Sequence, residues 1–357
     1  MSSGFPEVSS GAPEAIAPIP DADSTASDHI EAASSVSSSG GGIRMKASEY
    51  SLNIIRSENV YKTDSPADDS LRAWRRGGFL GPPYPFEVYN PEDSQWKWGR
   101  VGIISGVLGA TVTGVHIYQR NAWWSDRRTS FHFQHDSEYA LNVDKLGHFY
   151  GGALGAFIGR KSLEWSGASR TTALWGGTAM GALFQLYVEI EDGFAPDWGF
   201  SPGDAYANVL GAAWPIAQHY VPGLEHMHPK FSYWPSKAVR EGTHTGNMID
   251  DYEGQTMWMG IHLHGLLPQS LKPYWPEWLG IAVGVAVRNM PIRVDGQYVQ
   301  HNPLERSIIL ALDYDMTKII PGEGWFITAL KEGLNFIHFP SPAIRISPDF
   351  ISYGLYF

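Results

Sequence analysis

Three pairs of polar side chains interrupt otherwise apolar stretches of this sequence: Asp144 with His148, Glu189 with Asp192, and Asp204 with Asn208. Spacings of three or four residues put both members of a pair on one face of a helix. Carboxylates at the end of an apolar helix are costly unless they pair, bind a cation or face water, which makes such positions candidates for function. An oxygen-rich set with one imidazole suits a hard or borderline divalent ion such as magnesium, manganese or zinc, with Asp144, His148, Glu189 and Asp204 as its candidate ligands. The same six residues could instead form a catalytic pocket, burial and like charge lifting one carboxylate into the range useful for general acid–base work. The plainer alternative makes Asp144 and Asp204 helix N-caps and has Lys145 neutralise a neighbour.

The pairs can meet only if the chain brings their helices side by side. Val101 to Tyr118 is an uncharged apolar run between Arg100 and Arg120, long enough to cross a bilayer. Further apolar segments run from Asp144 to about Trp165, from about Arg170 to Ile190, and from about Asp204 to Tyr220 ahead of Pro222. In an antiparallel bundle of these four helices, Asp144 and His148 open the second, Glu189 and Asp192 close the third, and Asp204 and Asn208 open the fourth. All three pairs then lie at one end, with His116, Arg120, His132 and His135 in reach. Gly147, Gly151, Gly155 and Gly159 recur every four residues and leave a bare stripe along the second helix, which predicts close helix packing.

After Tyr220 the period changes to two. Met257, Met259, Ile261 and Leu263 alternate with Trp258, Gly260, His262 and His264, and Ile281, Val283, Val285 and Val287 alternate with small residues. Ser307 to Tyr314 and Ile351 to Phe357 read the same way. The expected fold is therefore mainly α: a glycine-rich apolar bundle of about four helices followed by a small antiparallel sheet of about four strands. An aromatic residue closing the last strand is a feature of outer-membrane barrel strands, but four strands cannot close a barrel, so a small curved sheet packed on the helices is expected. His226 with His228, and His262 with His264, are read as loop or surface residues.

Four regions follow: a disordered leader at 1–42, rich in Ser, Ala, Gly and Pro; a loop-rich polar segment at 43–96; a helical membrane-type domain at 97–222; and a strand-rich region at 223–357. Only 18% of residues are charged while 13% are aromatic, a balance leaning towards membrane. The net charge of −11, without clustered Lys and Arg, excludes nucleic acid as a partner. There is no cysteine, so thiol chemistry and thiolate metal sites are excluded. No secretory signal pattern opens the chain, and no phosphate-binding loop, dinucleotide fingerprint, nucleophile elbow or zincin motif is present.

The run Asp144-Lys145-Leu146-Gly147-His148-Phe149, then Glu189 to Phe194, then Trp198-Gly199-Phe200-Ser201 with Asp204, Asn208 and Gly211, resembles the YfiM-type family of unknown function. It is distantly similar to the VanZ-like membrane proteins, in which an Asp-Lys…His motif, an acidic residue ending a later helix and an Asp…Asn…Gly motif recur in that order. The resemblance covers about Asn121 to Tyr220 and implies a bacterial cell-envelope location and a helical membrane or lipoprotein-like module. VanZ-like members are associated with glycopeptide resistance, without an established chemical activity. The leader and the strand-rich tail depart from both families, and a lipoprotein anchor is not expected, since there is no lipobox cysteine. The expectation is a membrane-associated envelope protein whose polar pocket takes a lipid head group or cell-wall precursor, with a divalent ion as possible cofactor. The alternative is a non-catalytic scaffold whose strand tail docks on an envelope protein partner or the outer membrane. A soluble protein with buried apolar helices is the third reading.

Overall fold

The computed structural model describes residues 95–122, 124, 128–243, 248–294 and 297–357. The leader at 1–42 and all but the last two residues of the segment at 43–96 lie outside the described residues. Four long helices come first: α1 (Trp98–Ala122), α2 (Val143–Trp165), α3 (Arg170–Asp192) and α4 (Pro202–Tyr220). Their starts are set locally. Ser169 caps α3 by accepting from the Thr172 amide, and Ser201 caps α4 by accepting from the Asp204 amide. Pro202 follows in the first turn, where a missing N–H leaves no bond unmade. Asn142 and Ser201 occupy the cap positions of α2 and α4, so Asp144 and Asp204 stand in the first turns and the N-cap reading is corrected.

α2 is the central helix. Its Gly155 and Gly159 face Gly181 and Gly177 of α3 backbone to backbone, as the stripe predicts. α4 crosses the other side at Gly211, where any Cβ would run into the carbonyl of Phe149. Overfilling such a contact costs about 1–3 kcal/mol. Gly211→Val should therefore lower the thermal unfolding midpoint followed by circular dichroism, whereas Gly114→Val, with open space around it on α1, should not.

α1 is different: most of it is exposed. Its contacts lie towards its ends, where Arg100 Nη1 donates to the Trp165 carbonyl at 3.0 Å and His116 Nδ1 bonds the Tyr187 hydroxyl. Trp98–Asn121 is the one described helix long and apolar enough to cross a membrane. Of the expected helical membrane-type region, α1 is the described helix with that length and apolarity.

The strand region departs from the expectation in number. Six strands form one antiparallel sheet in the order β1 (Met227–Tyr233), β2 (Gln255–Ile261), β3 (Leu279–Arg288), β6 (Glu305–Tyr314), β7 (Ser341–Ser347), β8 (Ile351–Tyr356), and β4 (Ile292–Val294) pairs with β5 (Gln297–Val299). The fold is therefore a helical bundle joined to a six-stranded sheet, not a mainly α protein with four strands. β1 and β7 escape sequence reading because Pro229 and Lys230, and Pro342 and Arg345, break their apolar pattern. The alternation read through His264 stops at Ile261, since Leu263–Leu266 is a helical turn.

α2 also carries the sheet. Val143 packs in one core with Met257 and Val287, and Tyr150 and Phe157 pack on Phe231 and Phe336. At its far end Lys161 Nζ pairs with Glu332 at 2.8 Å, which lies in α5 (Trp325–Leu334). One face of α2 thus serves the bundle and another the sheet.

Candidate functional site

The helix starts bring Asp144, His148, Asp204 and Asn208 together at one end of the bundle. His148 Nε2 lies 3.6 Å from Asp144 Oδ1 and 3.9 Å from Asp204 Oδ1. Its other nitrogen, Nδ1, is 3.1 Å from Asn208 Oδ1, which also accepts from Gln185 Nε2 at 3.1 Å. An amide oxygen can only accept, so Nδ1 carries a proton and Nε2 is the nitrogen turned to the two carboxylates. Asn208 Nδ2 is buried without a hydrogen-bond partner.

Lys145, the neighbour of Asp144, enters the same cluster. Its Nζ lies 2.8 Å from Asp136 Oδ1, 2.9 Å from Asp204 Oδ1 and 3.4 Å from Asp144 Oδ2. Its single positive charge is shared among three carboxylates. Ser201 joins them, its hydroxyl donating to Asp136 at 2.8 Å and its amide to Glu189 Oε1 at 2.7 Å. Across from the bundle, the Tyr252 hydroxyl donates to Asp144 Oδ1 at 2.6 Å.

Glu189 and Asp192 sit at the same end without joining the His148 trio. Glu189 is held by the Ser201 amide, and Asp192 accepts from Trp124 Nε1 at 2.6 Å, just past the end of α1. His132 Nε2 bonds the Trp198 carbonyl and His135 is exposed. Three members escape sequence reasoning. Asp136 is in a loop with no periodicity, Gln185 is in mid-helix, and Tyr252 is far along the chain. A further correction concerns the downstream histidines: His228 and His262 are buried, their ring centroids 4.3 Å apart, with His262 Nδ1 3.2 Å from Asp315 Oδ2.

Burial dominates the electrostatics. It lifts Glu189 to about 8 and Asp192 to about 6. Burial and the charge of Asp144 lift Asp204 to about 7. Around His148 burial opposes the imidazolium, but Asp144, Asp204 and Glu189 outweigh it and raise the histidine above its ordinary value. Burial also opposes the charged forms of Asp136 and Lys145. Hydrogen bonds to Asp204, Lys145 and Ser201 nevertheless hold Asp136 below the usual carboxylate range, and Asp136 and Asp204 keep Lys145 above its ordinary value.

One ligand atom each from Asp144, His148 and Asp204 all fall within 4.8 Å of one another. Ligands about 2.1 Å from one ion lie up to about 4.2 Å apart, so a small inward movement would suit a divalent cation. A hydrogen bond to the second ring nitrogen, as Asn208 makes to Nδ1, is the outer contact that orients an imidazole wherever one ligates a metal.

Residues 132–218 match the family model described as predicted periplasmic lipoprotein (DUF2279). No curated protein and no solved structure matches the chain. The matched segment holds every member of the cluster except Tyr252. Its likeness to an envelope family of unknown function fits an envelope-associated bacterial protein.

Proposed function

We propose that this is a membrane-associated envelope protein, anchored through α1, in which Asp144, His148 and Asp204 bind a divalent cation. Through that ion the site would hold a phosphate-bearing envelope molecule, a lipid head group or a lipid-linked cell-wall precursor. The observation that carries the reading is the convergence of two carboxylates on His148 Nε2 while Asn208 fixes the other ring nitrogen. The ion would act as a Lewis acid towards a phosphate oxygen. The chain's own residues do the rest: Tyr252 and Ser201 orient carboxylates by hydrogen bonds, and Asn208 sets the tautomer of His148. The motif resemblance to YfiM-type and VanZ-like proteins supports an envelope setting.

Lys145 favours a second reading. Its ammonium already bridges Asp136, Asp144 and Asp204, so it could be the cluster's own counter-ion, and the polar pairs would then fix helix packing in a non-catalytic scaffold. Elemental mass spectrometry of detergent-purified protein separates the two. A stoichiometric divalent ion present in the wild type and lost in His148→Ala is expected. Metal-free protein in both cases would leave Lys145 as the counter-ion and the scaffold as the answer.

A further inference from the structure

The sheet buries charged residues beside its core on one face and leaves aliphatic ones exposed on the other. Register places Lys230 opposite Trp258, Gly260 opposite Ala282, and Gly280 opposite Asp313, so these residues share one face. That face is the buried one: Lys230 and Asp313 are each 1% exposed and Arg345 is 4% exposed. Val283 opposite Leu310, and Leu310 opposite Ile344, define the other face. Leu310, Ile344 and Ile346 on it are 42%, 39% and 46% exposed. A sheet with one face in water does the opposite, hiding its aliphatic face and wetting its charged one. Aliphatic side chains outside, with charged and small residues and one tryptophan inside, fit strands that meet lipid.

We infer that the uncovered outward face of β3, β6 and β7 lies against the hydrocarbon of a lipid bilayer. α2 covers one side of this face, over Phe231, Met257, Val285 and Val287, and Leu310, Ile344 and Ile346 stay exposed. β3 and β6 are ten residues long, the length of about 9–11 that a membrane strand requires. Charge is confined to their ends. At one end stand Arg288 opposite Glu305 and, on the outward face itself, the exposed Arg306 opposite Val287; at the other, Lys318 pairs with Glu277 at 2.9 Å beside Trp278 and the 83% exposed Tyr274, side chains suited to the headgroup level. A second protein copy needs neither that length nor aromatic residues at the charged end. The inference rests on the membrane association proposed above and does not depend on an ion at Asp144.

The chain has no cysteine, so a single one can be labelled at will. Leu310→Cys, Ile344→Cys, Val107→Cys on α1 and the exposed control Lys237→Cys would each carry a fluorophore. The full-length protein would be reconstituted in phosphatidylethanolamine–phosphatidylglycerol vesicles containing nitroxide-labelled lipid. The probes at 310 and 344 are expected to be quenched several-fold more strongly than the probe at 237. Quenching at 107 but not at 310 and 344 would overturn the inference while leaving the membrane anchor standing; an unquenched 107 would count against the anchor alone. Probes at 310 and 344 shielded from aqueous iodide yet untouched by nitroxide lipid would mean that protein covers the face, and would also overturn it.

Discussion

Replacing Lys230 by methionine is expected to destabilise the protein by about 3–5 kcal/mol, the cost of leaving a buried charge without its partner. Lys230 Nζ lies 2.9 Å and 2.8 Å from the two oxygens of Asp313 and donates to the Tyr314 carbonyl at 2.9 Å. Both side chains are sealed from solvent, and Gly260 leaves the space they occupy, since a Cβ there would crowd both. Removing the lysine strands the carboxylate. Removing both charges, in Lys230→Met with Asp313→Leu, should recover most of the loss, because desolvating an ion pair offsets much of its attraction. Denaturant titration of the two variants checks this. Equal losses in the single and the double variant would mean that shape rather than charge holds these strands together.

The second large effect is a fall in stability as pH rises from about 5 to about 8 in protein freed of divalent ions. Glu189, displaced from 4.5 to about 8 by burial, keeps a proton in the folded state across a range where the unfolded chain has lost it. The folded state then binds more protons, so stability is fully present below the ordinary carboxylate range and drains away as pH climbs through the folded value. Asp204 near 7, Asp192 near 6 and the raised His148 act in the same direction, while the lowered Asp136 acts oppositely and only under strongly acid conditions. Each unit of displacement is worth about 1.4 kcal/mol, so Glu189 alone contributes on the order of a few kcal/mol. Glu189→Gln keeps an oxygen for the Ser201 amide and carries no charge. Its melting temperature should therefore vary less with pH than that of the wild type, and equal slopes would place the titration elsewhere.

The helices were legible because their signals are local. An uncharged run with arginines at its ends, glycines every fourth residue, and Pro222 just beyond α4 mark elements to within a few residues. The pairs at 144/148 and 204/208 were legible because antiparallel connection leaves few places for them to go. Asp136 and Tyr252 were not, since a loop residue and a tyrosine distant in the chain reach the cluster only through tertiary packing. The sheet was half legible. β2, β3, β6 and β8 alternate, but β1 and β7 put Lys230 and Arg345 on the buried face, against the rule that pattern reading assumes. The burial of His228 and His262 was hidden too, since nothing clusters with them in sequence and they read as loop or surface residues.

Tyr252 stands 108 residues beyond the aspartate to which it donates. During synthesis the carboxylates, the lysine and the histidine all leave the ribosome before it. Until β2 follows, Asp144 lacks its phenol, and Tyr150 and Phe157 wait for Phe231 and Phe336. A fragment cut after α4 would carry nearly the whole cluster in sequence and still lack the donor that completes it, so the strand region, made later, decides when the helical one is finished.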